Sequence, residues 1–161
     1  MNIRVRRAAK KDLPVITRFN MALAKETEGR ALQRARLARG IKRLLIDPSK
    51  GFYLLAEVGG RVVGQLMLTV EWSDWRCGTF WWVQSVYVEK DFRRRGVFAE
   101  LYRDVETAAR NNRSVCGLRL YVEQSNRHAQ KIYSRLGMKR TSYRLFETDF
   151  VLDTQSGRTT R

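Results

Sequence analysis

The chain has 161 residues, a length that fits one domain and suffices to bury a core without metal or disulfide staples. Hydrophobic residues make up 43% and charged residues 30%, with Pro 2 and Gly 11, which excludes a collagenous, low-complexity or wholly disordered chain. Against 16 Asp+Glu stand 32 Lys+Arg, a net charge of +16, so the surface attracts polyanions: nucleic acid, anionic lipid or a phosphorylated cofactor; an even scatter of solvated arginines accounts for the same number.

Residues 2–7 alternate apolar Ile3 and Val5 with Arg4 and Arg6 and predict a half-buried strand. Asp12 then stands where a helix N-cap belongs, with Pro14 in the first turn and Ile16, Phe19 and Leu23 at helical spacing, and that helix is expected to end near Lys25. Glu26-Thr27-Glu28-Gly29 reads as a short acidic loop in a basic chain. An arginine-laced amphipathic helix over Arg30 to Leu45 follows, carrying Leu37, Ile41 and Leu44 and stopped by Asp47-Pro48. Two β-rich runs, residues 52–58 and 61–70, flank Gly59-Gly60, the dipeptide of a two-residue hairpin turn. A loop with Glu71, Trp72, Asp74 and Trp75 leads to a further strand over 80–88. From Asp91 the pattern turns helical, with Val97, Leu101, Val105 and Ala108 on one face. A strand over 115–122 comes next, and the crossover through the intervening helix makes it parallel to 80–88. Asn126 opens a last helix with Ala129, Ile132, Tyr133 and Leu136 on one face and Gly137 closing it. Met138 to Arg140 and Tyr143 to Phe150 are expected to complete a mixed sheet. The expected organisation is thus one domain over 1–152, with a disordered tail at 153–161.

The segment with chemical content is Val86-Tyr87-Val88-Glu89-Lys90-Asp91-Phe92-Arg93-Arg94-Arg95-Gly96-Val97-Phe98. A strand that ends in a basic, glycine-containing turn and opens into a helix makes an anion site, because the first N–H groups of the helix lack internal acceptors. A phosphate or pyrophosphate suits it, and the alternative is an ordinary turn with solvated arginines. No Cys/His zinc site or disulfide framework can be assembled from Cys77, Cys116 and the lone His128.

Here the sequence resembles the GNAT superfamily of acetyl-coenzyme A-dependent N-acyltransferases, whose pyrophosphate loop has the form Arg/Gln-x-x-Gly-x-Gly/Ala. Arg93-Arg94-Arg95-Gly96-Val97-Phe98 occupies that place, with Phe98 where the family has Gly or Ala and Arg94 where Gly is frequent. The family's later motif, Asn-x-x-Ala-x-x-x-Tyr-x-x-x-Gly-Phe/Met, is met by Asn126, Ala129, Tyr133, Gly137 and Met138. The resemblance spans roughly residues 2–150. It implies an α/β fold: a mixed, mostly antiparallel sheet, helices on both faces and a splayed parallel strand pair that takes acetyl-CoA. It also implies pyrophosphate contacts from the backbone of Arg94 to Phe98 beside Arg93, pantetheine pairing with the main chain of Val86 and Val88, and a side-chain contact from Asn126.

Acetyl transfer to an amine needs a proton acceptor, a donor that polarises the thioester carbonyl and an acid for the leaving thiolate. The resemblance assigns the acid to Tyr133. The stretches around Trp72 and Trp81-Trp82 also look like the polyamine and diamine acetyltransferase branch, but where that branch has an acidic pair this chain has Gln84-Ser85. A water relay to Glu26, Glu28, Glu71 or Asp74 is then required, and Glu26 and Glu28 are preferred because the loop after the first helix lines the acceptor cleft in this family. The tryptophans can wall a cation site. On a strand Trp81 and Trp82 face opposite sides, so at most one of them joins the cleft.

The expected activity is therefore transfer of an acetyl group from acetyl-CoA to a primary amine of a small molecule, by direct attack and with no metal. The expected setting is the cytoplasm, because no apolar run reaches the ~20 residues of a membrane span and Met1-Asn2-Ile3-Arg4 is no signal-peptide core. A homodimer is expected by analogy. Two rivals stand beside this reading: a CoA-binding sensor domain without catalysis, and a nucleic-acid-associated protein using the basic helix.

Overall fold

The computed structural model describes residues 1–151, and the expected tail at 153–161 lies outside them. Met1–Val122 form one compact unit and the chain from Glu123 onward a second. The first unit is built from β1 (Arg4–Arg7), α1 (Leu13–Glu28), α2 (Arg34–Ile46), β2 (Phe52–Val58), β3 (Arg61–Ser73), β4 (Gly78–Val88), α3 (Val97–Asn111) and β5 (Val115–Arg119). Its strands form a 5-stranded sheet in the order β1-β2-β3-β4-β5. All neighbours are antiparallel except β4 and β5, which run parallel.

Alternation along the strands sorts their side chains onto two faces. Leu54, Leu66, Leu68 and Val83 meet Val97, Leu101 and Val105 of α3 on one face. Tyr53 and Leu55 meet Ile16 of α1 and Ile41 of α2 on the other. Gly59 and Gly60, at φ 57 and 78, form the expected hairpin turn between β2 and β3.

Several boundaries differ from expectation. α1 does not stop near Lys25 but runs to Glu28, so Glu26, Thr27 and Glu28 are its last turn and not a loop; the helix continues until Gly29 takes the left-handed conformation at φ 62. Asp12 sits at the N-cap of α1, yet its carboxylate accepts from the Ala9 N–H at 2.7 Å and from Arg6. α2 starts at Arg34, later than Arg30. β3 runs on to Ser73 and takes in Glu71 and Trp72, because β4 begins at Gly78 and supplies ladder partners as far as Ser73↔Gly78. β5 ends at Arg119, short of Val122, where its pairing with β4 ceases.

The second unit holds α4 (Arg127–Arg135). Asn126 caps it as expected, its Oδ1 accepting from the Ala129 N–H at 3.0 Å. Gly137 at φ 84 closes it, with the Met138 N–H donating to the Tyr133 carbonyl at 3.1 Å. The strands expected over 138–140 and 143–150 are not formed. An alternating sequence becomes a strand only when another edge accepts its ladder. These runs find none among the described residues, and Tyr143, Phe146 and Phe150 are exposed.

Candidate active site

β4 changes character halfway along. Its first residues are paired on both sides: Thr79 to Trp82 match Val115 to Arg119 of β5 while also facing β3. The β5 ladder ends at Trp82↔Arg119, although β4 continues to Val88. Beyond Trp82 the edge that faced β5 therefore has no strand partner among the described residues, although side chains already bond the Ser85 and Val88 carbonyls.

A β-bulge lies in that open half. The register with β3 shifts between Gln65 and Met67, and Ser85 takes φ 49, a left-handed backbone that costs a non-glycine residue roughly 1–2 kcal/mol. Gln65 supports it. Its side chain is 0% exposed, and its Nε2 donates to the Ser85 carbonyl at 3.2 Å and to Asn20 Oδ1 at 3.3 Å. Asn20 Nδ2 in turn donates to the Tyr53 hydroxyl at 3.1 Å. Gln65 Oε1 is buried with no hydrogen-bond partner among the described residues.

At the end of β4, Glu89 is 8% exposed and is held by Arg18 of α1 at 3.0 Å and Arg61 of β3 at 2.5 Å, which fixes where the strand enters the turn. Arg93 to Gly96 then lead into α3. Gly96 is the N-cap at φ 82, and no side chain caps the helix, so its opening N–H groups lack the usual internal acceptor. A Cβ at Gly96 would meet nothing within 4 Å; the glycine is there for its backbone angle and not for space. Arg94, where the family often has Gly, adopts φ 60, so the backbone keeps the conformation a glycine would favour. Phe98 stacks along α3 on Tyr102, ring centroids 6.1 Å apart, and Val97 is buried in the core.

The three arginines of the turn differ in what they meet. Arg93 reaches back, its Nε donating to the Val88 carbonyl at 2.8 Å and its Nη2 to Glu26 Oε2 at 2.7 Å. Arg95 lies 5.9 Å from the Phe92 ring, and Arg94 is exposed. Tyr87, stacked on Phe19 at 5.0 Å, donates its hydroxyl to Glu26 Oε1 at 3.3 Å. Partial burial works against ionising Glu26, but the bonded Arg93 guanidinium outweighs it and holds the carboxyl below its usual range. Burial first, and then the Glu26 charge, push the Tyr87 phenol up.

The structure thus gathers Glu26, Val88 and Arg93, three sequence-derived candidates from separate segments. Glu28 is apart from them, exposed and 3.8 Å from Arg30. Val86 packs toward the α3 core. Asn126 and Tyr133 belong to the second unit, where burial raises the Tyr133 phenol, so it stays protonated at neutral pH.

Sequence reasoning missed the roles of Gln65, Ser85 and Tyr87. A glutamine inside the apolar run from Val62 to Leu68 was the available signal; a left-handed Ser85 has none. Glu71 is occupied: Arg119 donates to Oε1 at 2.7 Å and Trp82 Nε1 to Oε2. Trp81 meets Phe52 edge-on at 5.6 Å on the α3 side, whereas Trp82 lies 5.7 Å from Tyr121 on the opposite face, as strand alternation requires.

Comparison with known proteins gives this geometry a lineage. A model of the acetyltransferase (GNAT) family matches residues 16–138, three quarters of the chain. The chain belongs to the GNAT family. It is an acetyltransferase by that membership, with a curated relative in an uncharacterized N-acetyltransferase of Archaeoglobus fulgidus, 27% identical and covering 84% of this chain and 92% of that protein. A possible acetyltransferase from Clostridium difficile 630 has the same fold with a TM-score of 0.86 at 42% identity, covering 94% of this chain and 99% of the other. An integron cassette protein from the Cole Harbour Salt Marsh metagenome follows with a TM-score of 0.80, 26% identity, and coverage of 91% and 90%. GNAT acetyltransferases use acetyl-CoA. No helix among the described residues is long and apolar enough to cross a membrane.

Proposed function

We propose that this acetyltransferase acylates a primary amine of a small molecule by direct attack on acetyl-CoA. The observation that carries the reading is the open half of β4, followed after a short 3-10 turn at Lys90–Phe92 and the arginine turn by an uncapped helix start. An extended arm can pair with the strand edge while its anionic end meets the helix N–H groups. The residues present fit that cofactor: Phe98 is turned along its helix onto Tyr102, and the arginine-rich turn supplies charge.

When bound, acetyl-CoA supplies the acyl group as a thioester. Main-chain groups of Arg94 to Phe98, with Arg93 and Arg95, hold the pyrophosphate. Val86 and Val88 align the pantetheine arm, and Asn126 adds a side-chain contact. Arg93 has a second task, since it must leave the Val88 carbonyl free when the arm pairs there. Tyr133, kept protonated by burial, donates its phenolic proton to the departing sulfur. Glu26, ionised at neutral pH, attracts the acceptor ammonium and takes its proton through water, with Glu28 as the second carboxylate of that turn.

The test is CoA release across an amine panel with wild type, Tyr133→Phe and Glu26→Gln, beside calorimetry with acetyl-CoA. Tyr133→Phe is expected to lower kcat by about 10²-fold or more while binding is retained. An unchanged kcat removes its role as acid. Binding without turnover on any amine points instead to a sensor, and absent binding overturns the reading.

A further inference from the structure

The net charge of +16 is not spread evenly over the helices. α1 balances Arg18 and Lys25 with Glu26 and Glu28. α3 carries Arg103 and Arg110 against Glu100, Asp104 and Glu106, and both arginines are paired, Arg103 to Glu100 at 2.7 Å and Arg110 to Glu106 at 2.7 Å. α2 has Arg34, Arg36, Arg39, Lys42 and Arg43 and no acidic residue at all. All five are exposed, and none has a carboxylate within ion-pair distance among the described residues.

Their placement is not random around the helix. Leu37, Ile41, Leu44 and Leu45 turn α2 onto the α1 side of the sheet. At 3.6 residues per turn, Arg36, Arg39 and Arg43 fall together on the opposite side, and they span about 10 Å along the axis. Lys10 and Lys11, both exposed, lie on the short turn that packs beside α2. Like charges set three and four apart on a helix destabilise it by ~0.2–0.5 kcal/mol per pair, so the row carries a cost that no internal partner offsets. Guanidinium groups in a row, unneutralised and free of acids, match the repeating phosphates of a nucleic-acid strand.

We propose that the outer face of α2 docks the phosphodiester backbone of a nucleic acid, without reading its sequence. Contacts to phosphate carry no sequence information, so the expected binding is non-specific and salt-dependent. None of these residues belongs to the turn that leads into α3, so the inference stands apart from the acetyl-CoA reading.

The experiment is fluorescence anisotropy with a short labelled DNA duplex and a short labelled RNA strand, from about 50 to 200 mM KCl. Each phosphate contact contributes about 0.9 to the slope of log K against log salt on duplex DNA, so replacing three contacts should flatten it by about 2.7. R36Q/R39Q/R43Q should then lose about 40-fold less affinity than wild type over that range. R103Q/R110Q on α3 should leave the slope unchanged. α4 is also acid-free, with Arg127, Lys131 and Arg135, and R127Q/K131Q/R135Q is the decisive control. If that variant flattens the slope as much as the α2 variant does, the charge acts diffusely and the proposal fails. It fails too if the α2 variant binds like wild type, or if α2-dependent binding occurs only with phosphatidylserine vesicles. Acetyl-CoA affinity by calorimetry should not move in R36Q/R39Q/R43Q, which keeps this result distinct from the fate of the enzymatic reading.

Discussion

The two halves of β4 belong to one strand and do opposite things. From Thr79 to Trp82 it is laddered on both sides, with Gly117 of β5 lying so close under Phe80 that a Cβ there would come within 2.6 Å of the ring. From Val83 to Val88 it is laddered on one side, bulged at Ser85 and followed by a turn containing left-handed Arg94 and Gly96. The closed half contributes packing; the open half exposes backbone at a cost in strain, which is where a ligand can repay it.

The sharpest way to break the contrast is to damage the closed half alone. Gly117→Val forces bulk onto Phe80 and should cost about 2–3 kcal/mol, lowering Tm by roughly 5–10 °C. Differential scanning calorimetry checks this, and a Tm within a degree or so of wild type would show that the close approach is not tight.

In the open half the expected effect on stability is smaller and the effect on activity larger. Gln65→Leu leaves the Ser85 carbonyl and Asn20 without their donor. It should cost about 1–2 kcal/mol and raise KM for acetyl-CoA on the order of tenfold, with kcat changed less. Adding Ser85→Gly should recover part of the KM, because glycine holds φ 49 without a side-chain penalty. A double variant no better than Gln65→Leu would dismiss the bulge as the reason.

The weakest expected effect is at the mouth of the turn. Partial burial resists ionisation of Glu26, but its bond to Arg93 holds the carboxyl below the ordinary 4.5. A depressed carboxyl stabilises the fold above its unfolded pKa, and that contribution is lost as pH falls through the folded value. Arg93→Gln should therefore lower Tm slightly at neutral pH, by under about 1 kcal/mol for a pair this exposed, and the gap to wild type should close as pH drops below 4.5. Thermal melts of both proteins from neutral to acid pH decide it; a gap that stays constant would detach the difference from Glu26.

Much of this is legible in the sequence alone. The Gly59-Gly60 hairpin, the parallel relation of β4 and β5, the Asn126 cap and the turn from Arg93 to Gly96 all follow from local chemistry: hydrophobic period, cap residues, and glycine where the backbone turns left-handed. α1 runs past Lys25 although acidic residues are disfavoured at a helix C-terminus, and Glu26 is held there by Arg93 and Tyr87, both far away in sequence. The strands expected beyond Met138 do not form, because alternation signals readiness to pair without supplying an edge.

What the chain by itself determined is the set of local elements and the chemical kind of the turn after β4, since both depend on residues within a few positions of one another. Where β4 stops being paired, the left-handed Ser85 over Gln65, and the meeting of Glu26, Tyr87 and Arg93 were decided only in three dimensions. Each depends on partners tens of residues apart, and the free energy that joins them is gained only when the sheet and its helices close around a shared core.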